Sequence, residues 1–365
     1  MDLNGYTPIF VRADGNDAND GLTAETAKAT VQAAFDYAIT QMNMVLDVGE
    51  GTFAGIVVAA EVYYWPAFRG AGSSSSHLGG INGSGASGYP GIDISVISDG
   101  TINLGMISSS GGDDYYTPRS AGSVSLTDCV AESITANGGS ASGSGSGGNG
   151  GSVTLSNSTA WDITAQAGAS YGGSPANSGA IMLTDSTAAN LSVAGVANNG
   201  YAGTPGGSVT LTRSAAATIS AIGGGGGYSG SGGDGGTVTL LDASTAGGIV
   251  ADGGSTSYYN CSGGNGGSIS ITDSEVRDCS LAGGSPGESG SVGAVGALTA
   301  TRATIIGPVP QASVSCSSCV FLNGLSAFVT IHGTMRLPPA GASFPGGLAF
   351  ASDFQPTEVL GAGML

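Results

Sequence analysis

Charged residues are scarce in this chain, and basic ones are the scarcest. Only 9% of the 365 residues are charged, against about 25% in a typical soluble domain. Eight Lys and Arg stand against 26 Asp and Glu, which gives a formal net charge of −18. Because a surface that follows phosphates needs clustered positive charge, this balance excludes nucleic acid as a partner.

Long apolar runs and targeting segments are also missing from the sequence. No stretch approaches the roughly 20 apolar residues that span a bilayer, so we expect no membrane insertion. Residues 1–5, MDLNG, have neither the positive charge nor the apolar run of a secretory signal. The sequence therefore predicts a protein that reaches its site of action without an N-terminal export signal.

Residues that bind metals or form disulfides are few. The two histidines, His77 and His332, are isolated, and the five cysteines are an odd number that does not suggest a disulfide framework. Cys316 and Cys319 form a single CxxC, whereas a zinc site needs about four ligands. We therefore expect no metal and no cofactor, and we interpret the cysteines as buried thiols.

Glycine, by contrast, is abundant, with 68 residues. There is no strict Gly-X-Y period and there are only 13 prolines, which excludes a collagen helix. Hydrophobic residues make up 40% of the chain and recur at regular intervals, which excludes disorder of the whole chain.

The sequence contains an internal repeat of about 30 residues. Each copy has alternating apolar residues two and four positions after its start, as in a strand with one buried face, and a second short apolar strand follows. Two strands per copy without a helix between them predict coils, the turns of a solenoid, that stack at about 4.8 Å. We predict an all-β, right-handed parallel β-helix of about seven to ten coils. The copies begin at Gly122, Gly151, Gly179, Gly207, Gly236, Gly267 and Gly296, with a weaker one near Ile92.

Both ends of the chain differ from the repeat. Residues 1–60 are predicted to form a strand and a capping helix, whose apolar face consists of Val31, Ala34, Phe35, Ala38 and Met42. Residues 61–311 are assigned to the β-helix and its glycine-rich loops. Residues 312–365 are expected to hold shorter coils near Val314 and Val329, followed by an irregular cap or attachment segment from Pro338 onward.

One N-terminal segment resembles a known family. Residues 14–23, DGNDANDGLT, with residues 29–36, ATVQAAFD, resemble the N-terminal segment of pectin-lyase-like β-helix proteins. That family includes bacteriophage tailspikes and tail-associated adhesins as well as polysaccharide lyases. The resemblance covers about 30 residues and implies the fold, which many different activities share.

Stacking of the coils aligns one polar residue per coil into a ladder. It lies six positions after each start, where a turn is expected, and two arginines in it follow aspartates that they can neutralise. We interpret this set as a structural ladder of turn residues: Asp128, Asn157, Asp185, Arg213, Asp242, Asp273 and Arg302.

Each coil also carries a glycine-rich insertion of about 10 to 15 residues after its second strand. The insertions leave from the same corner, so they either stack into a second lobe or form flexible linkers; their similar lengths favour the lobe. Most contain tyrosines, which stacking would bring into an approximate row. The rings either pack inward, which we favour slightly, or form a binding row for sugar or protein: Tyr115, Tyr116, Tyr171, Tyr201, Tyr228, Tyr258 and Tyr259.

No catalytic residues can be assigned from the sequence. The acidic clusters of the coil region are Asp113-Asp114 and Asp273 with Glu275 and Asp278, and surface solvation accounts for both. An enzyme that degrades polysaccharide, either a lyase or a glycoside hydrolase, remains an alternative, because an active site assembled across coils would not show in one sequence.

The resemblance, the lack of an export signal, the low charge and the lack of assignable catalytic residues together favour a structural and adhesive function. We expect a component of a virus particle, namely a bacteriophage tail fibre, tailspike or receptor-binding tip protein that is assembled in the host cytoplasm. Its expected partners are other tail proteins and a host-surface polysaccharide or protein, and such solenoids are commonly homotrimers. An adhesin of a bacterial cell surface is the further alternative.

Overall fold

The computed structural model describes residues 5–59, 62, 64–71, 76–307, 313–321, 330–337, 349–350 and 355–359. These residues form a right-handed parallel β-helix of about nine turns with very little helix, which confirms the predicted fold class.

The chain begins with a cap of one helix and two strands. These are β1 (Thr7–Val11), α1 (Val31–Ala38) and β2 (Met44–Val48), and β1 pairs with β2 in parallel. Thr30 caps α1, because its side chain accepts a hydrogen bond from the Ala33 N–H. The predicted helical face is wrong at Met42. The helix ends at Ala38, Met42 is 64% exposed, and Asn43 turns the chain into β2 with a φ of 56°.

Five short strands connect this cap to the solenoid. They are β3 (Gly51–Phe53), β4 (Ile56–Val57), β5 (Ala67–Gly70), β6 (Ser76–Leu78) and β7 (Gly80–Asn82). The strand β5 adds to β2 and completes a three-stranded sheet, while β3 pairs with β6 and β4 with β7. The cap sheet therefore passes directly into the first coils and covers their apolar interior.

Each regular coil contains two strands. The first strand of a coil has an even number and the second strand has an odd number. Residues of successive coils pair in parallel, for example Val153 with Ile181 and Leu155 with Leu183, so similar aliphatic side chains stack inside. These buried columns are the core. The strands are β8 (Ile94–Ile97), β9 (Met106–Ser108), β10 (Val124–Thr127), β11 (Ser133–Thr135), β12 (Ser152–Ser156), β13 (Thr159–Thr164), β14 (Ala180–Thr184), β15 (Thr187–Ser192), β16 (Ser208–Thr212), β17 (Ala215–Ser220), β18 (Thr237–Leu241), β19 (Thr245–Val250), β20 (Ser268–Thr272), β21 (Glu275–Ser280), β22 (Ala297–Thr301) and β23 (Thr304–Ile305).

A buried column of serines follows the turn between the two strands. The Ser214 hydroxyl, for example, accepts from the Ser186 N–H at 3.0 Å and donates to the Thr212 carbonyl at 2.8 Å. The hydroxyl thus satisfies an amide of the neighbouring coil that the turn leaves without a backbone partner. Sequence reasoning missed this column, which contains Ser158, Ser186, Ser214, Ser244 and Ser274.

The C-terminal part continues the stack with β24 (Ser313–Phe321), β25 (Thr330–Leu337), β26 (Ala349–Phe350) and β27 (Gln355–Val359). Val314 is fully buried, as a coil position requires, whereas Val329 and Pro338 lie outside the described residues. Within the described part of the chain, no helix is long and apolar enough to cross a membrane.

Candidate functional site: the tyrosine edge of the glycine lobe

The glycine-rich loops form a second hydrogen-bonded body beside the β-helix, which confirms that they stack. We call it the glycine lobe; it comprises residues 83–91, 110–121, 137–150, 166–178, 194–206, 222–235, 252–266 and 282–295. In each loop an outgoing leg leaves the second strand, and a returning leg leads to the next coil.

The hydrogen bonds of the lobe repeat every third residue. In the outgoing leg, the Gly223 and Gly226 amides donate to carbonyls of the next coil at 2.9 and 3.1 Å. In the returning leg, Gly232 and Gly235 do the same at 2.9 and 2.8 Å. A period of three is that of the polyproline II helix, which has no internal hydrogen bonds and leaves its amides for its neighbours. Each leg is therefore hydrogen-bonded to the corresponding leg of the next coil.

Glycine is required in these legs because they approach one another too closely for side chains. A Cβ on Gly224 would lie within 3.0 Å of the Val196 carbonyl, and one on Gly254 equally close to that of Gly224. In the returning leg, a Cβ on Gly233, Gly264 or Gly293 would likewise lie within 3.0 Å of a backbone carbonyl of the preceding coil. The glycine composition thus follows from close backbone packing.

Asparagine and aspartate side chains add hydrogen bonds between the returning legs of adjacent coils. The Asn149 side-chain oxygen accepts from the Asn177 N–H at 2.9 Å, and the Asp234 carboxylate accepts from the Asn265 N–H at 2.7 Å. Each of these side chains supplies an acceptor to an amide of the next coil, so that amide has a hydrogen-bond partner.

Tyrosines stand at the tips of these loops, and we call the row of tips the tyrosine edge. Seven tyrosines are predicted to form an approximate row, and six of them are at least half exposed. The interpretation that the rings pack inward is therefore wrong for these six. Tyr258 is partly buried. The exposed fractions are 56% for Tyr115, 63% for Tyr116, 58% for Tyr171, 50% for Tyr201, 73% for Tyr228 and 64% for Tyr259.

The rings make contacts within and between loops. Tyr115 and Tyr116 meet edge to face with centroids 4.5 Å apart. Tyr228 and Tyr258 belong to neighbouring coils, and their centroids are 4.5 Å apart with ring planes at 42°. Partial desolvation, together with the adjacent Tyr228 hydroxyl, raises the pKa of Tyr258. The Tyr115 ring lies against the backbone at Gly143 in the next loop, which has no tyrosine.

Two aromatic residues that are more than half exposed were missed by sequence reasoning. Tyr89 is 67% exposed at the tip of loop 83–91, before the glycine repeat becomes regular. Trp161 is 70% exposed on β13, at a corner where two consecutive residues face solvent. An alternating pattern would turn either Trp161 or Asp162 inward. Because both face solvent at this corner, the alternation did not predict that Trp161 is exposed.

The predicted structural ladder lies at the turn between the two strands, away from the tyrosine edge. Arg213 donates to both Asp185 oxygens, at 2.7 and 2.8 Å, and lies 3.9 Å from Asp242. Arg302 pairs with Asp273 in the same way. The arginine hydrogen bonds hold the pKa of Asp185 and of Asp273 below the usual range. Asp128 accepts from the Asn157 amide, which lowers its pKa too. All seven members of the ladder have φ between 47° and 54°.

Aspartates near the first tips serve the loops. Asp114 accepts from the Tyr116 and Thr117 amides at 2.9 and 3.0 Å, which lowers its pKa. Asp113 accepts from the Ser140 amide at 2.6 Å. In the residues that the structure describes, no group of three or more His, Cys, Asp or Glu is placed to hold a metal ion.

The five cysteines are buried and unbridged. Burial raises the pKa of Cys129 and of Cys279 to about 12, so both are inert thiols.

Fold and site together define a parallel β-helix whose second lobe ends in an aromatic edge. No protein-family model matches the chain, and no curated protein matches it. Similar solved structures include pectate lyase Pel9A, at 11% identity over 99% of this chain and 82% of that chain, with a TM-score of 0.31. Another is the catalytic domain of a GH87 α-1,3-glucanase in complex with nigerose, at 12% identity over 98% and 69%, with a TM-score of 0.32. A thermostable GH87 α-1,3-glucanase from Streptomyces thermodiastaticus is 13% identical over 89% and 65%, with a TM-score of 0.31.

Proposed function

We propose that this protein is an adhesive component of a virus particle, a bacteriophage tail fibre, tailspike or receptor-binding tip protein, and that it contacts the host surface through its tyrosine edge. The observation that carries the proposal is the exposure of tyrosine rings at the tips of stacked, hydrogen-bonded loops. Clustered exposed aromatic surface on a soluble fold marks a site of interaction. The resemblance of residues 14–36 to β-helix proteins that include phage tailspikes supports the viral assignment.

The composition of the tips supports recognition of another molecule. Four of them read SASGSGS at 140–146, SYGGSPA at 170–176, NNGYAGT at 198–204 and TSYYNCS at 256–262. Tyr, Ser, Gly and Asn are also the residues that dominate the binding loops of antibodies. There, tyrosine supplies a large contact area at low entropic cost, and the small polar residues supply adaptable hydrogen bonds.

The contrast between legs and tips supports the same proposal. The legs repeat glycine because a Cβ at these positions would collide with the neighbouring backbone. The tips differ from coil to coil in sequence. A rigid scaffold that presents variable loop tips is the usual arrangement of a binding surface.

Assembly is part of the proposal. We expect the chain to form a homotrimer and to attach to other tail proteins, which leaves the tyrosine edge free to reach host polysaccharide or protein. Native mass spectrometry of the full chain tests the trimer, and a monomer at micromolar concentration would contradict it.

The adhesive function is tested with fluorescently labelled protein on a panel of bacterial strains. The triple variant Tyr171→Ala, Tyr201→Ala, Tyr228→Ala should bind at least about tenfold more weakly, because each ring removed takes away stacking area. Trp161→Ala removes an exposed aromatic side chain from strand β13 instead of from a loop tip and should bind like the wild type.

Circular dichroism and thermal melting show whether the variants remain folded. Undiminished binding by a folded triple variant would contradict the proposal. Release of reducing ends or unsaturated uronates from a bound polysaccharide would replace the purely adhesive function with an enzymatic one.

A further inference from the structure

We infer that the ligand of the tyrosine edge is a neutral polysaccharide, and that the paired rings of Tyr228 and Tyr258 form one of its sugar subsites. The inference rests on the proposed adhesive function and names the ligand class of the same surface.

The middle of the tyrosine edge carries no charge. Five consecutive tips, residues 141–147, 170–176, 197–203, 225–232 and 255–262, contain no Asp, Glu, Lys or Arg. A carboxylate or sulfate bound there would lose hydration without gaining a cationic partner, which is unfavourable. A ligand without charge avoids this cost.

The charges next to these tips also disfavour an acidic ligand. Arg119 is the one basic residue in the lobe, and its Nε donates to the Gly88 carbonyl at 3.0 Å. Asp113 and Asp114 share its loop, so the local balance is negative. The net charge of −18 adds repulsion that a polyanion would meet before contact.

The Tyr228–Tyr258 pair offers the surface that a neutral sugar requires. The two rings diverge by 42°, and Tyr228 is 73% exposed. A pyranose has an apolar C–H face that can lie on an aromatic ring, and hydroxyls at its rim that can exchange hydrogen bonds with phenols. Exposed Asn199, Ser229 and Asn260 on the same and adjacent tips supply further polar groups.

The repeat of the tips fits a polymer rather than a single sugar. Successive coils lie about 4.8 Å apart, so the tips of Tyr171, Tyr201, Tyr228 and Tyr259 extend over about 14 Å. A chain that runs along the solenoid axis contacts several tips at once. Each weak contact then acts at the high effective concentration set by its neighbours.

The test is a binding panel of the full-length protein, by isothermal titration calorimetry and affinity gel electrophoresis. Dextran, mannan and galactan are the neutral probes, and polygalacturonate, hyaluronate and polysialic acid are the acidic ones. At least one neutral polymer should bind with an affinity that does not change between low and high salt. Tyr228→Ala should weaken that binding about tenfold, and Tyr228→Phe should weaken it less because the ring remains. Trp161→Ala should leave it unchanged.

Binding limited to acidic polymers and lost at high salt would overturn the inference, as would neutral-polymer binding that Tyr228→Ala does not affect. For receptors outside the panel, cells are treated before the protein is added. Binding abolished by periodate and insensitive to salt supports the inference, and binding abolished by protease overturns it while the proposed adhesive function stands. The proposed adhesive role of the tyrosine edge fails if the folded triple tyrosine variant binds cells as the wild type does.

Discussion

The close backbone packing of the glycine lobe can be tested by adding one methyl group to a leg, in the variant Gly224→Ala. In Gly224→Ala, the new Cβ would lie within 3.0 Å of the oxygen, carbon and nitrogen of Val196, which are backbone atoms that cannot rotate away. The Gly224 amide donates to the Thr204 carbonyl at 2.7 Å, and the Gly224 carbonyl accepts from Gly233 at 2.8 Å. The leg can therefore relieve the clash only by lengthening these bonds.

The expected magnitude follows from three contributions. Overpacking costs about 1–3 kcal/mol. Two weakened hydrogen bonds cost about 0.5–1.5 kcal/mol each. The lower entropy of alanine in the unfolded chain offsets about 0.4–1 kcal/mol. The midpoints of these ranges give a net local destabilisation of about 3 kcal/mol.

The neighbouring residue provides a matched control. A Cβ on Gly225 would meet the Ala197 Cβ at 3.5 Å, an ordinary contact, and the Ser255 carbonyl at 3.2 Å, a tight contact that a shift of a few tenths of an ångström relieves. The corresponding leg positions of the adjacent coils are themselves occupied by Ala197 and Ser255. Gly225→Ala should therefore be nearly neutral.

Hydrogen exchange followed by mass spectrometry measures the difference locally. Peptides from residues 194–206 and 222–235 should exchange at least roughly 30-fold faster in Gly224→Ala, since about 1.4 kcal/mol corresponds to tenfold. The same peptides in Gly225→Ala should exchange as in the wild type. Equal protection in the two variants would refute the argument that close backbone packing requires glycine in these legs.

Three further predictions concern the body of the solenoid. Ser214→Ala removes the acceptor of the buried Ser186 amide and should lower the free energy of unfolding by about 1–3 kcal/mol, whereas exposed Ser231→Ala should change it by less than about 0.5 kcal/mol in the same urea titration. Asp185 has a lowered pKa in the folded state, so its pairing with Arg213 stabilises the fold above about pH 4 and is lost as the pH falls through the folded pKa. The difference in melting temperature between wild type and Arg213→Met should accordingly narrow from pH 7 to pH 2, and a constant difference would contradict the assignment. Buried Cys129, with its pKa raised to about 12, should resist iodoacetamide at pH 8 until guanidinium unfolds the chain; rapid labelling of the native protein would show that the core opens.

Much of the fold could be predicted because its core is periodic. The Val-x-Leu pattern at Val153 and Leu155 recurs at Ile181 and Leu183, and parallel stacking places these residues directly on one another. A repeat of this kind specifies both the strand and its register, since a slip by one residue would turn the apolar side chains outward. Met42 was misassigned because helical periodicity alone does not locate the end of a helix.

The sequence by itself determined the repeat, the two strands of each coil and the stacking of the glycine loops, because these depend on patterns that each coil carries within it. Only the tertiary structure decided which tyrosines are exposed, how Tyr228 meets Tyr258 and that Trp161 projects from a corner. The physical reason is that these features depend on contacts between residues of different coils and on the bend of the backbone. The periodicity that reveals the scaffold is interrupted at the tips, and the side chains we propose for binding lie there.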